Sequence, residues 1–332
     1  MMITYYISST LYASNVKVIL NAPKNNYGVV SLENNNEELF QTLASVAEKK
    51  KNFKVVIDCV NSTGGISVPE LLVALGVTDV VELFTNPNGR FPHNPEPLPE
   101  HLGTIAHEVK HQKADVGLVV DPDVDRLAIV CENGDMFGEE YTLVSIADYV
   151  LKHTPGNVVS NLSSTQALRD VAVKHKVEHH QSAVGEVHVV SMMKEVNAII
   201  GGEGNGGIIL PELHYGRDAL VGIALFLSHL ATSGKSCSRL RADYPNYFMA
   251  KNKIELPEGT DVQYILRKME EKYKKEKLNK TDGLKIEMGG DWVHLRASNT
   301  EPIIRIYSES STKTTAENIN KKIMDDIKNV MK

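Results

Sequence analysis

Six residues, Asp121-Pro122-Asp123-Val124-Asp125-Arg126, set three carboxylates at alternating positions and close the run with a guanidinium. Apolar, β-branched stretches lead in through Ala114 to Val120 and lead out through Leu127 to Val130. Both flanks read as strands, so the carboxylates fall in a tight connection at a strand end. Three like charges held this close are costly to bury without a partner. A divalent cation bound by hard oxygens resolves that cost. Mg²⁺ suits a site with few protein ligands and positions left open for a phosphate. The alternative is a solvated acidic turn.

Two further stretches carry polar chemistry. Gly201-Gly202-Glu203-Gly204-Asn205-Gly206-Gly207 lies between Ala198-Ile199-Ile200 and Ile208-Ile209-Leu210. Asn205-Gly206 predicts a hairpin turn, but five glycines exceed what a turn requires and bare the backbone to a ligand. Glu203 and Asn205 are the only side chains at the tip, with an acceptor and an amide suited to sugar hydroxyls. A dinucleotide loop is excluded, because a strand follows where a helix should. Near the C-terminus, Arg296-Ala297-Ser298-Asn299-Thr300-Glu301-Pro302 and then Arg305 supply guanidinium, hydroxyl and amide donors for phosphate. An ordinary surface loop is the alternative.

The elements around these loops follow from periodicity. Lys54 to Val60 reads as a buried strand, Asn61 to Gly65 as a loop, and Val68, Leu71, Leu72 and Leu75 as a helix face stopped by Gly76. Val80 to Phe84 is the next strand, which makes a parallel α/β layer. Gly64-Gly65 lacks the spacing of a nucleotide loop and reads as a plain strand-to-helix turn. A helix from Pro99 to His111 contains His107-Glu108-Val109-Lys110-His111, the zinc-protease pattern. Leu102, Ile105, Ala106 and Val109 share one face of it and both histidines fall on the other, so the match reads as a coincidence on a solvated face. His188 reads as packing or surface. Helices are expected from Glu139 to His153, after a Ser164 cap, and from Arg217-Asp218 to Ala231. From Lys251 onward, four strands, a charged helix and a final helix capped by Thr314 and Glu317 compose a small α+β domain. Before Lys51, Tyr5-Tyr6-Ile7 and Val16 to Leu20 read as short strands, and Leu39, Leu43 and Val46 as a helix face.

With 332 residues the chain exceeds one small core. Hydrophobic content of 42% and charged content of 23% describe a soluble globular protein. A net charge of -6 gives no footprint for nucleic acid. The longest apolar helical run, Ala219 to Leu230, is too short to cross a bilayer, so no membrane partner is expected. Cys59, Cys131 and Cys237 are far apart and show no metal spacing. Free thiols and no signal peptide point to the cytoplasm.

Asp-x-Asp-x-Asp-Arg, then Gly-Glu-Gly-Asn-Gly-Gly, then Arg-Ala-Ser-Asn-Thr-Glu-Pro, in this order, resemble the α-D-phosphohexomutase superfamily of phosphoglucomutases, phosphomannomutases and phosphoglucosamine mutases. The resemblance runs from about Phe53 to the C-terminus. It implies a family plan of three similar α/β units and a smaller C-terminal one. It also implies a reaction moving phosphate between C1 and C6 of a hexose through a bisphosphate. Asp121, Asp123 and Asp125 would be Mg²⁺ ligands, with Arg126 beside the transferring phosphate. Glu203 and Asn205 would hold sugar hydroxyls. Arg296, Ser298, Asn299, Thr300 and Arg305 would hold the phosphate that does not react.

The superfamily's first domain carries a phosphoserine in a loop ending Ser-His-Asn-Pro. That run does not occur here, and Ser8-Ser9-Thr10 is not followed by His and Asn. The expected organisation is therefore a leader or remnant of that domain (1–51), an α/β domain with the metal loop (52–136) and an α/β domain with the sugar loop (137–248). A C-terminal phosphate-binding α+β domain of four strands and two helices (249–332) completes it. The two α/β domains are expected to be similar and mixed-sheet. One functional reading is a Mg²⁺-dependent mutase of hexose or hexosamine phosphates, phosphoglucosamine mutase-like, of which this chain is a truncated fragment impaired without the phosphoserine domain, or which works with a nucleophile domain supplied in trans. The other is a non-catalytic phosphosugar-binding protein.

Overall fold

Lys54–Asp58 and Val116–Val120 are runs rich in β-branched residues, and both are strands buried along nearly their whole length. The computed structural model describes residues 53–257, 259–298 and 301–331, together with the backbone of 4–7 and 18–21. The chain divides into two compact units, Met1–Pro155 with Ile199–Asp243, and Gly156–Ala198 with Tyr244–Lys332.

In the first unit a four-stranded sheet runs in the order Asp79–Leu83, Lys54–Asp58, Val116–Val120, Leu127–Cys131. The first three strands are parallel and the last is antiparallel to its neighbour. The crossover helix Gly64–Ala74 makes the parallel pairing possible. Val120 pairs with Leu127, so residues 121–126 are the connection of an antiparallel pair. Asp58 ends the adjacent parallel strand opposite Val119, which puts it at the same sheet edge.

The helix expected from Pro99 starts with a 3-10 turn, Pro99–His101, and becomes α-helical over Gly103–His111. It buries Leu102, Ile105 and Val109. His107 and His111 are exposed with their rings stacked, centroids 5.9 Å apart, as a solvated face requires. Helices Glu139–His153 and Ala219–Ser233 pack against each other. The second is almost wholly apolar, and its N-cap Asp218 accepts from the amides of Leu220 and Val221 at 2.8 and 3.1 Å. Ile200–Glu203 and Gly207–Ile209 form the antiparallel hairpin that Asn205-Gly206 predicts.

The second unit holds the parallel pair Val158–Asn161 and His179–Ser182 with helices Ala167–His175 and Glu186–Glu195. It also holds a five-stranded antiparallel sheet in the order Phe248–Glu255, Ile303–Ser310, Asp291–Ala297, Leu284–Met288, Lys277–Asn279. Helices Val262–Lys272 and Lys313–Met331 cover one face of that sheet through Leu266, Met269, Ile286, Leu295, Ile323 and Ile327. The strands and helices expected there are present, with a short edge strand, Lys277–Asn279, added. Two local expectations are corrected. Ser164 does not cap the helix that begins at Ala167, which starts after Gln166. The final helix is capped by Thr312, whose Oγ1 accepts from the Thr315 amide at 3.1 Å, rather than by Thr314.

Near the N-terminus, strands Thr4–Ile7 and Val18–Asn21 pair antiparallel. The helix read through Leu39, Leu43 and Val46, like Ser8 and Ser9, lies outside the described residues. Among the described residues no helix is long and apolar enough to cross a membrane.

Candidate functional site

The acidic connection is built around Asp121. Its carboxylate is buried. Oδ1 accepts from the amides of Asp125 and Arg126, each at 3.0 Å, and Oδ2 accepts from Arg126 Nε at 2.7 Å. Asp121 thus folds the loop over itself. Val124, buried and β-branched, is forced to a φ of 59° at the tip. A left-handed Val is strained, and backbone bonds on both sides fix it: Val124 donates to the Asp121 carbonyl at 3.1 Å and accepts from Ala219 at 3.0 Å.

This geometry brings one oxygen each from Asp121, Asp123 and Asp125 within 4.8 Å of one another. Asp123 is exposed and Asp125 half-buried. Burial, reinforced by the Asp121 charge, raises the pKa of both Asp123 and Asp125 above the ordinary carboxylate range. Oδ1 of Asp125 is buried and accepts no hydrogen bond; Arg126 Nε stands 3.6 Å away. An all-oxygen, acidic cluster with an unsatisfied buried oxygen fits a hard divalent cation such as Mg²⁺.

The glycine hairpin belongs to the same unit and is sewn to the acidic loop. Leu127 donates to the carbonyl of Gly206 at 3.1 Å. Gly206 has a φ of 88°, and a Cβ there would overlap the Leu127 carbonyl oxygen. A Cβ on Gly204 would overlap the Glu140 carboxylate. These glycines therefore serve close packing of the protein on itself, a reason for their number beyond baring the backbone. Glu203 is buried, and Asn205 is half-buried with Oδ1 accepting from Gly207 at 3.2 Å.

Arg217 joins the two loops. Its Nη2 donates to Asp125 Oδ2, and its Nη1 donates to Glu203 Oε2 at 3.0 Å. Sequence reading placed Arg217 only as the start of a helix. The available signal was a cation just before the N-terminus of an apolar helix, where the dipole disfavours it unless acids hold it. The Pro/Asn-rich loop between Asn86 and Pro99 also contributes. Glu96 Oε1 lies 3.3 Å from Arg126 Nη1. His93 Nε2 lies 2.9 Å from Asp58 Oδ2, and its Nδ1 lies 2.8 Å from the Asn94 carbonyl, to which it must donate. Burial raises the pKa of Asp58 against the pull of the Val60 amide and His93. With both ring nitrogens engaged, His93 pins this loop and has no ring nitrogen to offer a substrate. Ser62 and Thr63 donate to the Pro122 carbonyl at 2.7 and 2.9 Å, tying the acidic loop to the next crossover. For Arg126 itself, burial opposes the charge, but the hydrogen bond and charge of Asp121 outweigh it and raise the pKa.

The C-terminal cluster belongs to the second unit. Arg296 and Arg305 are directly opposite each other on paired antiparallel strands, so both guanidiniums leave from one face. Arg296 Nε donates to Asp282 Oδ2 at 2.8 Å, and the Val184 amide donates to the same oxygen at 2.9 Å. Arg305 lies 3.5 Å from Glu301 and is partly exposed. Ser298 donates its amide to Ile303 at 3.0 Å. Asn299 and Thr300 lie outside the described residues. On the strand that carries Arg296, buried His294 donates from Nε2 to the Asp282 carbonyl at 2.6 Å and accepts at Nδ1 from Ser163 Oγ at 2.9 Å. Burial pushes its pKa down to about 4.

Three domain models match this chain in sequence order. They are described as phosphoglucomutase/phosphomannomutase α/β/α domain II at residues 33–134, α/β/α domain III at 138–247, and the C-terminal domain at 253–326. The chain is 38% identical over 274 residues to a phosphoglucomutase/phosphomannomutase of Thermococcus kodakarensis, covering 81% of this chain and 59% of the relative. It is 31% identical over 315 residues to a probable phosphoglucosamine mutase of Pyrococcus abyssi, covering 94% of this chain and 69% of that protein. Among solved structures, a phosphoglucomutase/phosphomannomutase family protein of Burkholderia thailandensis matches with a TM-score of 0.73 and 25% identity, over 87% of this chain and 64% of the other. The chain thus spans about six tenths of the length of several relatives it matches.

Proposed function

We propose a phosphohexomutase function from one premise: the chain belongs to the α-D-phosphohexomutase superfamily, matching phosphoglucomutase/phosphomannomutase domains along most of its length. The reaction is transfer of phosphate between C1 and C6 of a hexose or hexosamine phosphate, with a phosphoglucosamine as the preferred class because relatives carry that name. We read residues 52–136, 137–248 and 249–332 as its working domains and the cytoplasm, suited to three buried free thiols, as its compartment.

The observation that carries this reading is the acidic loop, where three carboxylates converge and Asp125 keeps a buried oxygen without a hydrogen bond. Asp121, Asp123 and Asp125 would hold Mg²⁺, which when bound supplies charge stabilisation to a transferring phosphoryl group. Asp121 orients the loop and fixes Arg126, whose guanidinium adds positive charge beside those carboxylates. Glu203 and Asn205 meet sugar hydroxyls, Glu203 being held in place by Arg217. Arg296, Arg305 and Ser298, with Asn299 and Thr300 of the same loop, hold the phosphate that does not react. Two guanidiniums directly opposite each other, Arg296 beside Asp282 and Arg305 beside Glu301, leave donors for a shared anion, which suits a phosphate subsite. No Ser-His-Asn-Pro run occurs in the 332 residues, so we assign the covalent step to a phosphoserine outside them.

The test is turnover of glucosamine 1-phosphate to the 6-phosphate, with bisphosphate activator and Mg²⁺, with and without a phosphoserine domain from a relative. Turnover only when that domain is added supports the reading. Phosphosugar binding with no turnover in either arm makes the chain a binding protein, and no binding at all removes the reading.

A further inference from the structure

Arg217 touches both the acidic loop and the glycine hairpin: one nitrogen donates to Asp125 Oδ2 and another to Glu203 Oε2. Backbone bonds also tie these segments, Leu127 to Gly206 of the hairpin at 3.1 Å and Ala219, the first residue of the helix after Arg217, to Val124 at 3.0 Å. Those hold the chains side by side whatever the charges do. The guanidinium is different, because its two acceptors compete for it. Both lie in the same unit, both are largely buried, and Arg217 itself is 18% exposed, so solvent screens the competition weakly. The other face of the Asp125 carboxylate, Oδ1, is the buried oxygen that accepts no hydrogen bond.

From this we infer that Arg217 is a positioning residue that couples the charge state of the acidic loop to the grip of the hairpin on its ligand. The inference rests on the phosphohexomutase reading for what each loop holds, and adds the coupling between them. A cation drawn to Asp125 repels the guanidinium and weakens its bond there. Freed charge moves toward Glu203, fixing that carboxylate and the hairpin around it. The coupling is reciprocal: a ligand that engages Glu203 changes how firmly Arg217 holds Asp125. Only a planar fork with several donors can serve two carboxylates at once; a lysine ammonium at this position would act as a point charge.

The experiment uses the whole chain and Mg²⁺ alone as probe. Amide hydrogen exchange of residues 201–207 is followed with and without saturating Mg²⁺, and Mg²⁺ affinity is measured by calorimetry at pH 8.5, so that proton release does not enter. In the wild type, Mg²⁺ should slow exchange in the hairpin by about threefold, the scale of one partly exposed ion pair. Arg217→Gln should abolish that response while binding Mg²⁺ about 3- to 10-fold more tightly, because a like charge has left the site. Arg217→Lys should keep the wild-type Mg²⁺ affinity yet lose the hairpin response. Glu203→Gln, which leaves the Asp125 contact intact, should also lose it and serves if Arg217→Gln does not fold. A merely structural arginine would weaken Mg²⁺ binding on removal and leave no Mg²⁺-dependent exchange to lose. An unresponsive hairpin in the wild type, or a response that survives Arg217→Gln, overturns the inference. Neither outcome touches the phosphohexomutase reading, which stands or falls on phosphosugar binding and turnover by the wild type.

Discussion

The amide of Leu127 donates to the carbonyl of Gly206 at 3.1 Å, joining the first residue after the acidic loop to the tip of the glycine hairpin. At that contact Gly206 has a φ of 88° and no room for a Cβ. Gly206→Ala should therefore cost about 1–3 kcal/mol from backbone strain alone, with more from the clash against the Leu127 carbonyl. Urea unfolding should show the lowered midpoint, and phosphosugar affinity should drop with it. A midpoint equal to that of the wild type would mean the hairpin is not sewn to the loop in solution.

Asp121 spends both carboxylate oxygens on its own loop, through two amides and Arg126. Asp121→Asn keeps the shape but gives up one charge and one charge-assisted acceptor, worth about 1.5–3 kcal/mol. Both the melting temperature and the calorimetric Mg²⁺ affinity should fall. Asp123→Asn changes an exposed side chain that does not hold the loop's amides as Asp121 does, so it should lower Mg²⁺ affinity with little effect on melting. Equal stability losses in the two variants would contradict the distinct roles.

The cross-strand pair of Arg296 and Arg305 predicts effects of opposite sign. Arg305→Gln removes a like-charge repulsion worth about 0.2–1 kcal/mol and should raise the stability of the ligand-free chain. The same change should weaken hexose phosphate binding by about tenfold or more, since a charge-assisted bond of about 1.5–3 kcal/mol is lost. Melting and calorimetry on one preparation check both signs; a loss of stability together with unchanged affinity would assign Arg305 to the structure of the sheet.

His294 sets a pH dependence. Its folded pKa of about 4 lies below the ordinary histidine value, so the unfolded chain binds this proton more readily. Its contribution is fully present above about pH 6.5 and is lost as pH falls toward 4, at up to about 1.4 kcal/mol per pH unit. His294→Gln should flatten that part of the stability profile. Urea midpoints collected across the window would contradict this if both proteins lost stability at the same rate.

Much of the site was legible in sequence because each loop is local. The alternation of Asp121, Asp123 and Asp125 between two β-branched strands needs only a strand end to become a cluster. Asn205-Gly206 needs only a hairpin. Arg217, Glu96 and His93 were not legible as site residues, because each acts on a charged group distant in sequence: Arg217 on the Asp125 carboxylate, Glu96 on the Arg126 guanidinium, His93 on the Asp58 carboxylate. No periodicity reports such a pairing. The edge strand Lys277–Asn279 and the strand His179–Ser182 were missed for another reason. Their polar residues carry no alternation, and sheet pairing rather than propensity makes them strands. The cap of the last helix shifted from Thr314 to Thr312 because several hydroxyls in Ser310 to Thr315 compete, and only backbone geometry chooses among them.

The most direct measurement is a calorimetric titration of the whole chain with glucosamine 1-phosphate, with and without Mg²⁺, beside a variant carrying Asn at positions 121, 123 and 125. The account predicts saturable binding to the wild type that tightens with Mg²⁺, and binding to the variant that Mg²⁺ leaves unchanged. Absence of binding by glucosamine, glucose and mannose phosphates alike, or Mg²⁺-enhanced binding that persists in the variant, would contradict it.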